Sequence, residues 1–132
     1  MLTLDTRFFL THFLADSDGL KHKTRAKILE AEREASVVPT IVIHELYKYE
    51  YEKLGRDVAD LRIRSILGST FNVVELTSQI AILAASLRCK YRMLPTADSI
   101  IAATAIETKS MRVLSDDPHF WKIKEIKTEW IE

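Results

Sequence analysis

Several absences bound what this 132-residue chain can be. It carries one cysteine, Cys89, so no disulfide can form within it. The helical pattern around Cys89 and Leu87 casts that residue as a small core or boundary side chain, not a catalytic thiol, and a reducing, cytoplasmic setting is expected. Net charge is also missing: 19 Lys and Arg balance 19 Asp and Glu, which excludes a high-affinity nonspecific coater of DNA. An enzyme that grips a few phosphates locally remains open. No apolar run approaches the ~20 residues of a membrane span. The segment Phe8 to Leu14 is apolar, but Asp5 precedes it, His12 interrupts it, and no basic stretch or A-x-A site frames it, so no signal peptide is expected. Repeats, low-complexity stretches and linkers are absent as well. The expectation is a single layered domain over residues 1–132, long enough to bury a real core.

What is present alternates. Met1 to Leu4 reads as a short buried strand, and Asp5-Thr6 caps a helix through Phe13. A polar stretch at 16–19 leads to a charged helix over residues 20–35, where Ala26, Leu29 and Arg33 alternate with Lys and Glu in a solvated amphipathic pattern. Val37-Val38 is a second strand, followed by a helix from Ile41 to Leu54, a stop at Gly55, and another helix from Asp57 to Leu67. Val73 to Glu75 suits a third strand. Thr77-Ser78 caps a helix with Ile80, Leu83, Ala84, Leu87 and Tyr91 in phase. Arg112 to Leu114 is a fourth strand, Ser115 to Pro118 turns into a short helix, and Ile123 to Ile126 is a last edge strand. Short strands alternating with helices predict a parallel α/β sheet.

The stretch from Leu94 to Ala105 poses the sharpest question. Asp98, Ile101, Ala102 and Ala105 share one face of a helix, and that face is apolar except for Asp98. A carboxylate at a core position needs a cation or strong donors facing it. Other acids fall at or after strand ends, where open parallel sheets bind ligands. Asp5 follows the first strand, Asp116 and Asp117 follow the fourth, and Glu45 lies one turn into the helix after the second, on the face of Val42, Leu46 and Tyr49. Taken singly, Asp5 and Asp117 are good helix caps. Gathered by the topology, the acids would repel one another unless a hard divalent cation such as Mg²⁺ or Mn²⁺ neutralises them. Two-metal hydrolysis of a phosphodiester is the chemistry such a site serves best.

Four motifs in this order carry a family resemblance: Leu4-Asp5-Thr6, His44-Glu45-Leu46, Ala97-Asp98 followed by Ile101 to Ala105, and Leu114-Ser115-Asp116-Asp117-Pro118-His119-Phe120. Together they resemble a PIN-domain nuclease, closest in style to the VapC-like toxins of toxin–antitoxin pairs. The resemblance implies a three-layer α/β/α fold with a short central parallel sheet. It also implies Mg²⁺- or Mn²⁺-dependent endoribonuclease activity by water attack, leaving a 5′-phosphate and a 3′-hydroxyl. Asp5, Glu45, Asp98 and Asp117 are then the ligand set. In it, Asp5 and Asp98 are the principal carboxylates, Glu45 a ligand or the orienter of the attacking water, and Asp117 the residue completing the site. Asp116 competes for that last position; Asp117 is preferred because it stands three residues before Phe120. Ser115 is expected to hydrogen-bond a ligand carboxylate. Arg7 departs from the family pattern, where a small polar residue such as Asn is common, and is read as a contact to substrate phosphate. The implied partners are an RNA substrate, a VapB-like antitoxin and a second copy of the chain in a homodimer.

Other readings are weaker. His44-Glu45 opens a zinc-protease motif, but Lys48 stands where H-E-x-x-H needs histidine. His12, His22 and His119 lack ligand spacing and read as solvated or structural. The basic run Lys21 to Lys27, like Arg88, Lys90 and Arg92, is a solvated face or a guide for RNA. Phe8, Phe9, Phe13 and the Tyr47–Tyr51 stretch are core or interface. A receiver-like phosphoacceptor domain would want an acidic pair after the first strand, where only Asp5 stands. Two alternatives keep the fold: a catalytically degenerate interaction module, and an RNA-processing nuclease without an antitoxin.

Overall fold

The computed structural model describes residues 1–131. Five short strands form one parallel sheet: β1 (Thr3–Leu4), β2 (Val37–Pro39), β3 (Asn72–Val74), β4 (Arg112–Leu114) and β5 (Lys127–Glu129), in the order β3-β2-β1-β4-β5. Thr3 pairs with Val37 on one side and Val113 on the other, so β1 is the central strand. Each crossover between the first four strands carries two helices: α1 (Thr6–Phe13) and α2 (Asp18–Arg33), α3 (Thr40–Leu54) and α4 (Arg56–Leu67), α5 (Ser78–Lys90) and α6 (Thr96–Glu107). The helices flank the sheet in an α/β/α arrangement. Strand order reverses between β1 and β4, which opens a crevice at their carboxyl ends.

Hydrophobic burial explains why the strands can be so short. Leu2, Leu4, Val37, Val38, Val113 and Leu114 are all buried, as parallel strands covered on both faces must be. Helix α6 is the central brace. Every residue from Ser99 to Ala105 is buried, and Ala102, Ala103 and Ala105 let it approach β1, β2 and β4 closely. Leu4 and Phe8 from the N-terminus and Phe120 and Ile123 from the C-terminus join the same core. Gly55 ends α3 at φ +92°, a conformation that costs an L side chain free energy, and the chain re-enters α4 at once.

Two sequence expectations are corrected. Ile123 to Ile126 does not form the edge strand; Ile123 and Ile126 are buried in the core, and β5 lies after them at Lys127–Glu129. Apolar content there marks burial without marking the ladder. Helix α2 leaves Ala26 and Leu29 exposed and turns Thr24 and Ala31 inward. Thr24 is drawn inward by polar contacts: its hydroxyl donates to the Lys21 carbonyl and meets His12 Nδ1 at 2.7 Å. Cys89 is exposed, on the outer side of α5. Phe8 and Phe9 are core, whereas Tyr51 is exposed.

Candidate metal centre

Asp5 emerges where β1 ends. Its backbone is extended (φ −91°, ψ 158°) and its N–H donates to the Leu114 carbonyl at 3.3 Å, so the residue sits at the β1–β4 crevice. The residue is 3% exposed. Oδ1 accepts from Thr6 N–H at 2.8 Å and Oδ2 accepts from Ser115 Oγ at 2.6 Å. Burial pushes the carboxyl up to about 6; the bonds from Ser115 and Thr6 pull it down, while the charges of Glu45 and Asp117 push it further up. A simple cap would have reached the second or third helical N–H; this one takes only the first.

Asp98 approaches from the other side, in the first turn of α6. A helix N-terminus ordinarily favours an anion. Here burial outweighs it and, with Asp117 and Asp5 nearby, raises the carboxyl to about 7, against a smaller opposing pull from His119. Asp117 follows β4 and caps a single 3-10 turn, Pro118–Phe120, by accepting from His119 N–H at 2.9 Å. Because that turn folds back, the His119 ring reaches the acids: Nδ1 lies 3.1 Å from Asp98 Oδ2 and 2.9 Å from Asp117 Oδ1. One ligand atom from each of Asp98, Asp117 and His119 falls within 4.8 Å of the others.

Two hydroxyls tie the rest together. Thr6 Oγ1 donates to Glu45 Oε1 at 2.7 Å, while Thr6 N–H holds Asp5, so one residue orients both acids. Ser115 Oγ donates to Asp5 and accepts from Asp117 N–H at 3.0 Å, joining the β1 and β4 ends. Thr6 and His119 carry no site role in the sequence reading. For Thr6 the signal was its place in the first motif. For His119, read there as solvated or structural, spacing gave no signal, because its approach to Asp98 depends on the turn. Arg7 Nε donates to Asp116 Oδ1 at 2.6 Å in a largely exposed pair, which gives it an anionic partner within the chain. That pair leaves Asp116 outside the group formed by Asp98, Asp117 and His119.

Carboxylate oxygens with one imidazole nitrogen suit a hard or borderline divalent cation. Among the described residues no Lys or Arg forms an ion pair with Asp5, Asp98 or Asp117, and burial, with the charges of neighbouring acids, raises the Asp5 and Asp98 carboxyls. The residues fit a metal. Two hollows flank the centre. One, of about 400 Å³, lies between α3 and the start of α6 and includes Glu45, Lys48 and Thr96. The other, also about 400 Å³, lies between the loop before α6 and the turn carrying His119.

A parallel sheet with acids converging at its switch point, braced by a small-residue helix, defines a class of α/β/α proteins built around an acidic cleft. Residues 2–126 match the PIN domain model, and the chain belongs to the PIN-domain family, a family of nucleases. Solved structures share the fold across the whole chain. The VapBC complex of Salmonella typhimurium, described as DNA-bound, superposes with a TM-score of 0.80 at 17% identity over 100% of both chains. FitAcB of Neisseria gonorrhoeae gives 0.76 at 20% identity over 97% of this chain and 96% of that one. The toxin VapC20 of Mycobacterium tuberculosis, described as cleaving the sarcin–ricin loop, gives 0.75 at 14% identity over 94% and 95%. No curated protein matches the chain by sequence. No helix among the described residues is long and apolar enough to cross a membrane.

Proposed function

We propose that this chain is a Mg²⁺- or Mn²⁺-dependent endoribonuclease, and the toxin of a VapBC-type pair held in check by a VapB-like antitoxin. The observation that carries the reading is the convergence of Asp5, Glu45, Asp98 and Asp117 on one crevice, with Asp5 and Asp98 raised first by burial and then by the charges of neighbouring acids, Asp117 and Glu45 among them. The toxin assignment is supported by the fold shared with the Salmonella typhimurium, Neisseria gonorrhoeae and Mycobacterium tuberculosis proteins. An antitoxin and a second copy of the chain are its proposed partners, in the cytoplasm.

Asp5, Asp98 and Asp117 would hold the cation, with Glu45 at the edge of the site. When bound, a divalent cation supplies charge neutralisation at the phosphate and eases ionisation of water near neutral pH. The protein's own groups do the rest. Ser115 and Thr6 fix the Asp5 carboxylate, so its orientation needs no rearrangement on loading. Thr6 engages only Oε1 of Glu45, which leaves Oε2 to orient the attacking water and take its proton.

The experiment is cleavage of a mixed-sequence single-stranded RNA by the purified chain, with end-group analysis of the products. Cutting that requires Mn²⁺ or Mg²⁺, stops in EDTA, and leaves 5′-phosphates is the expected result. Equal cutting in EDTA would overturn the metal mechanism, and no cutting under any metal would favour an inert interaction module.

A further inference from the structure

The hollow beside His119 has the makings of a nucleotide seat. Its two walls are the chain segments that deliver the proposed metal acids: Tyr91 to Leu94 runs into the helix bearing Asp98, and Pro118 to Lys122 follows Asp117 directly. The volume of about 400 Å³ is roomy for one base and its sugar. Met93 stands at its edge 84% exposed, an unusual cost for a large apolar side chain with no partner. Tyr91 is pinned: its hydroxyl donates to Glu125 Oε1 at 2.6 Å and accepts from Lys124 N–H at 3.1 Å, so the ring is fixed before any ligand arrives. Arg92 and Lys122 are exposed and form no ion pair among the described residues, and no acidic side chain lines the hollow.

Apolar walls, free cations and a shared border with the acid cluster match one ligand chemistry. We propose that this hollow seats the nucleotide of a single-stranded RNA next to the scissile phosphate, with its base against Met93 and Tyr91 and its phosphates against Arg92 and Lys122. Cations here offset the repulsion that the acids exert on the strand, which explains how a chain of zero net charge engages a polyanion. A second hollow, lined by Glu45 and Lys48, reaches the start of α6 at Thr96 and Ala97, next to Asp98. This inference rests on the ribonuclease reading, and the test separates the two.

The test measures kcat and KM for single-stranded RNA, with Mn²⁺ at saturation, for the full chain and for Arg92→Ala/Lys122→Ala and Met93→Ser. A Lys23→Ala/Arg25→Ala variant removes the same charge from the distant α2 surface. The seat predicts that the first variant raises KM roughly tenfold with kcat within about twofold, because it removes binding common to ground and transition states. Its binding should lose about 1.4 from the slope of log affinity against log salt, two single-strand phosphate contacts' worth. Met93→Ser should raise KM without changing that slope. All variants should keep the parent's melting temperature and Mn²⁺ affinity. If the parent cuts RNA but the hollow variants match it, or if the α2 variant loses as much, the seat is wrong while the nuclease reading stands. If the parent neither cuts nor binds RNA, both fall.

Discussion

Ser115 Oγ donates to Asp5 Oδ2 at 2.6 Å and so links the residue after the first strand to the loop after the fourth, 110 positions along the chain. The same oxygen accepts from Asp117 N–H. One hydroxyl therefore sets the spacing of two proposed ligands. Ser115→Ala is expected to raise the Asp5 carboxyl further, since the lost bond favours the anion. Mn²⁺ affinity should fall by about 10- to 100-fold, and stability by about 1–2 kcal/mol. Calorimetric metal titration with a denaturant melt checks both; unchanged metal affinity would reduce Ser115 to a structural strut.

Adjacent acids separate by their partners. Asp116 pairs outward with Arg7, whereas Asp117 joins Asp98 and His119. Asp116→Asn is expected to keep RNA cleavage within a few-fold, and Asp117→Asn to lose it by at least about 100-fold, the range seen when a group acting in the transition state is removed. Reversal of that order would move the metal to the Arg7 side.

The metal-free protein should show the strain of its acids. Asp98 titrates near 7 and Asp5 near 6, against 3.8 for an ordinary Asp. Between those values the folded chain holds protons that the unfolded chain has released. The stability these acids allow is thus fully present below about pH 4 and lost as pH rises through 6 to 7. His12 runs the other way: burial pushes it down to about 4, so its contribution is lost as pH falls from 6.5. The difference between Asp98→Asn and the parent isolates the first trend. In EDTA the variant should melt close to the parent at pH 4.5 and higher at pH 8, by on the order of a few kcal/mol. A difference that does not change with pH would refute the account of Asp98.

Much of this site is readable along the chain because helical spacing exposes an ill-placed charge. Asp98 among Ile101, Ala102 and Ala105 is such a case, and the structure buries that helix on nearly all sides. Asp5 and Asp117 were legible from their places after apolar strands. His119 was not, since its ring reaches Asp98 only through a 3-10 turn whose geometry no periodicity announces. The last strand was missed for a related reason. Ile123 and Ile126 have the composition of a strand but fill the core, while Lys127–Glu129 forms the ladder with polar side chains at an edge. Glu129 pairs there with Lys27 and with Arg112, 2.9 Å away.

Away from the crevice, Glu50 tests how the fold tolerates buried charge. It is 1% exposed; Arg62 Nη1 donates to its Oε1 at 3.1 Å, and Oε2 has no hydrogen-bond partner among the described residues. Arg62 also stacks over Phe13, 4.5 Å from the ring centre. Arg62→Met leaves the carboxylate uncompensated and should cost about 3 kcal/mol at pH 8. The cost should shrink toward pH 5, because burial already raises the Glu50 carboxyl and losing Arg62 raises it more. Glu50→Gln should be close to neutral. A loss in Glu50→Gln equal to that in Arg62→Met would mean that the ion pair itself is stabilising.

The central claim is that the acids in this crevice hold a divalent cation, and direct Mn²⁺ binding tests it. Calorimetric titration of the full chain at pH 8 should show saturable binding, tighter than at pH 5.5 because Asp98 and Asp5 must release their protons to the solvent. The folded Asp98→Asn variant should bind at least about tenfold more weakly, as expected when a ligand charge is removed. No binding by the parent, or equal binding by Asp98→Asn, would contradict the account.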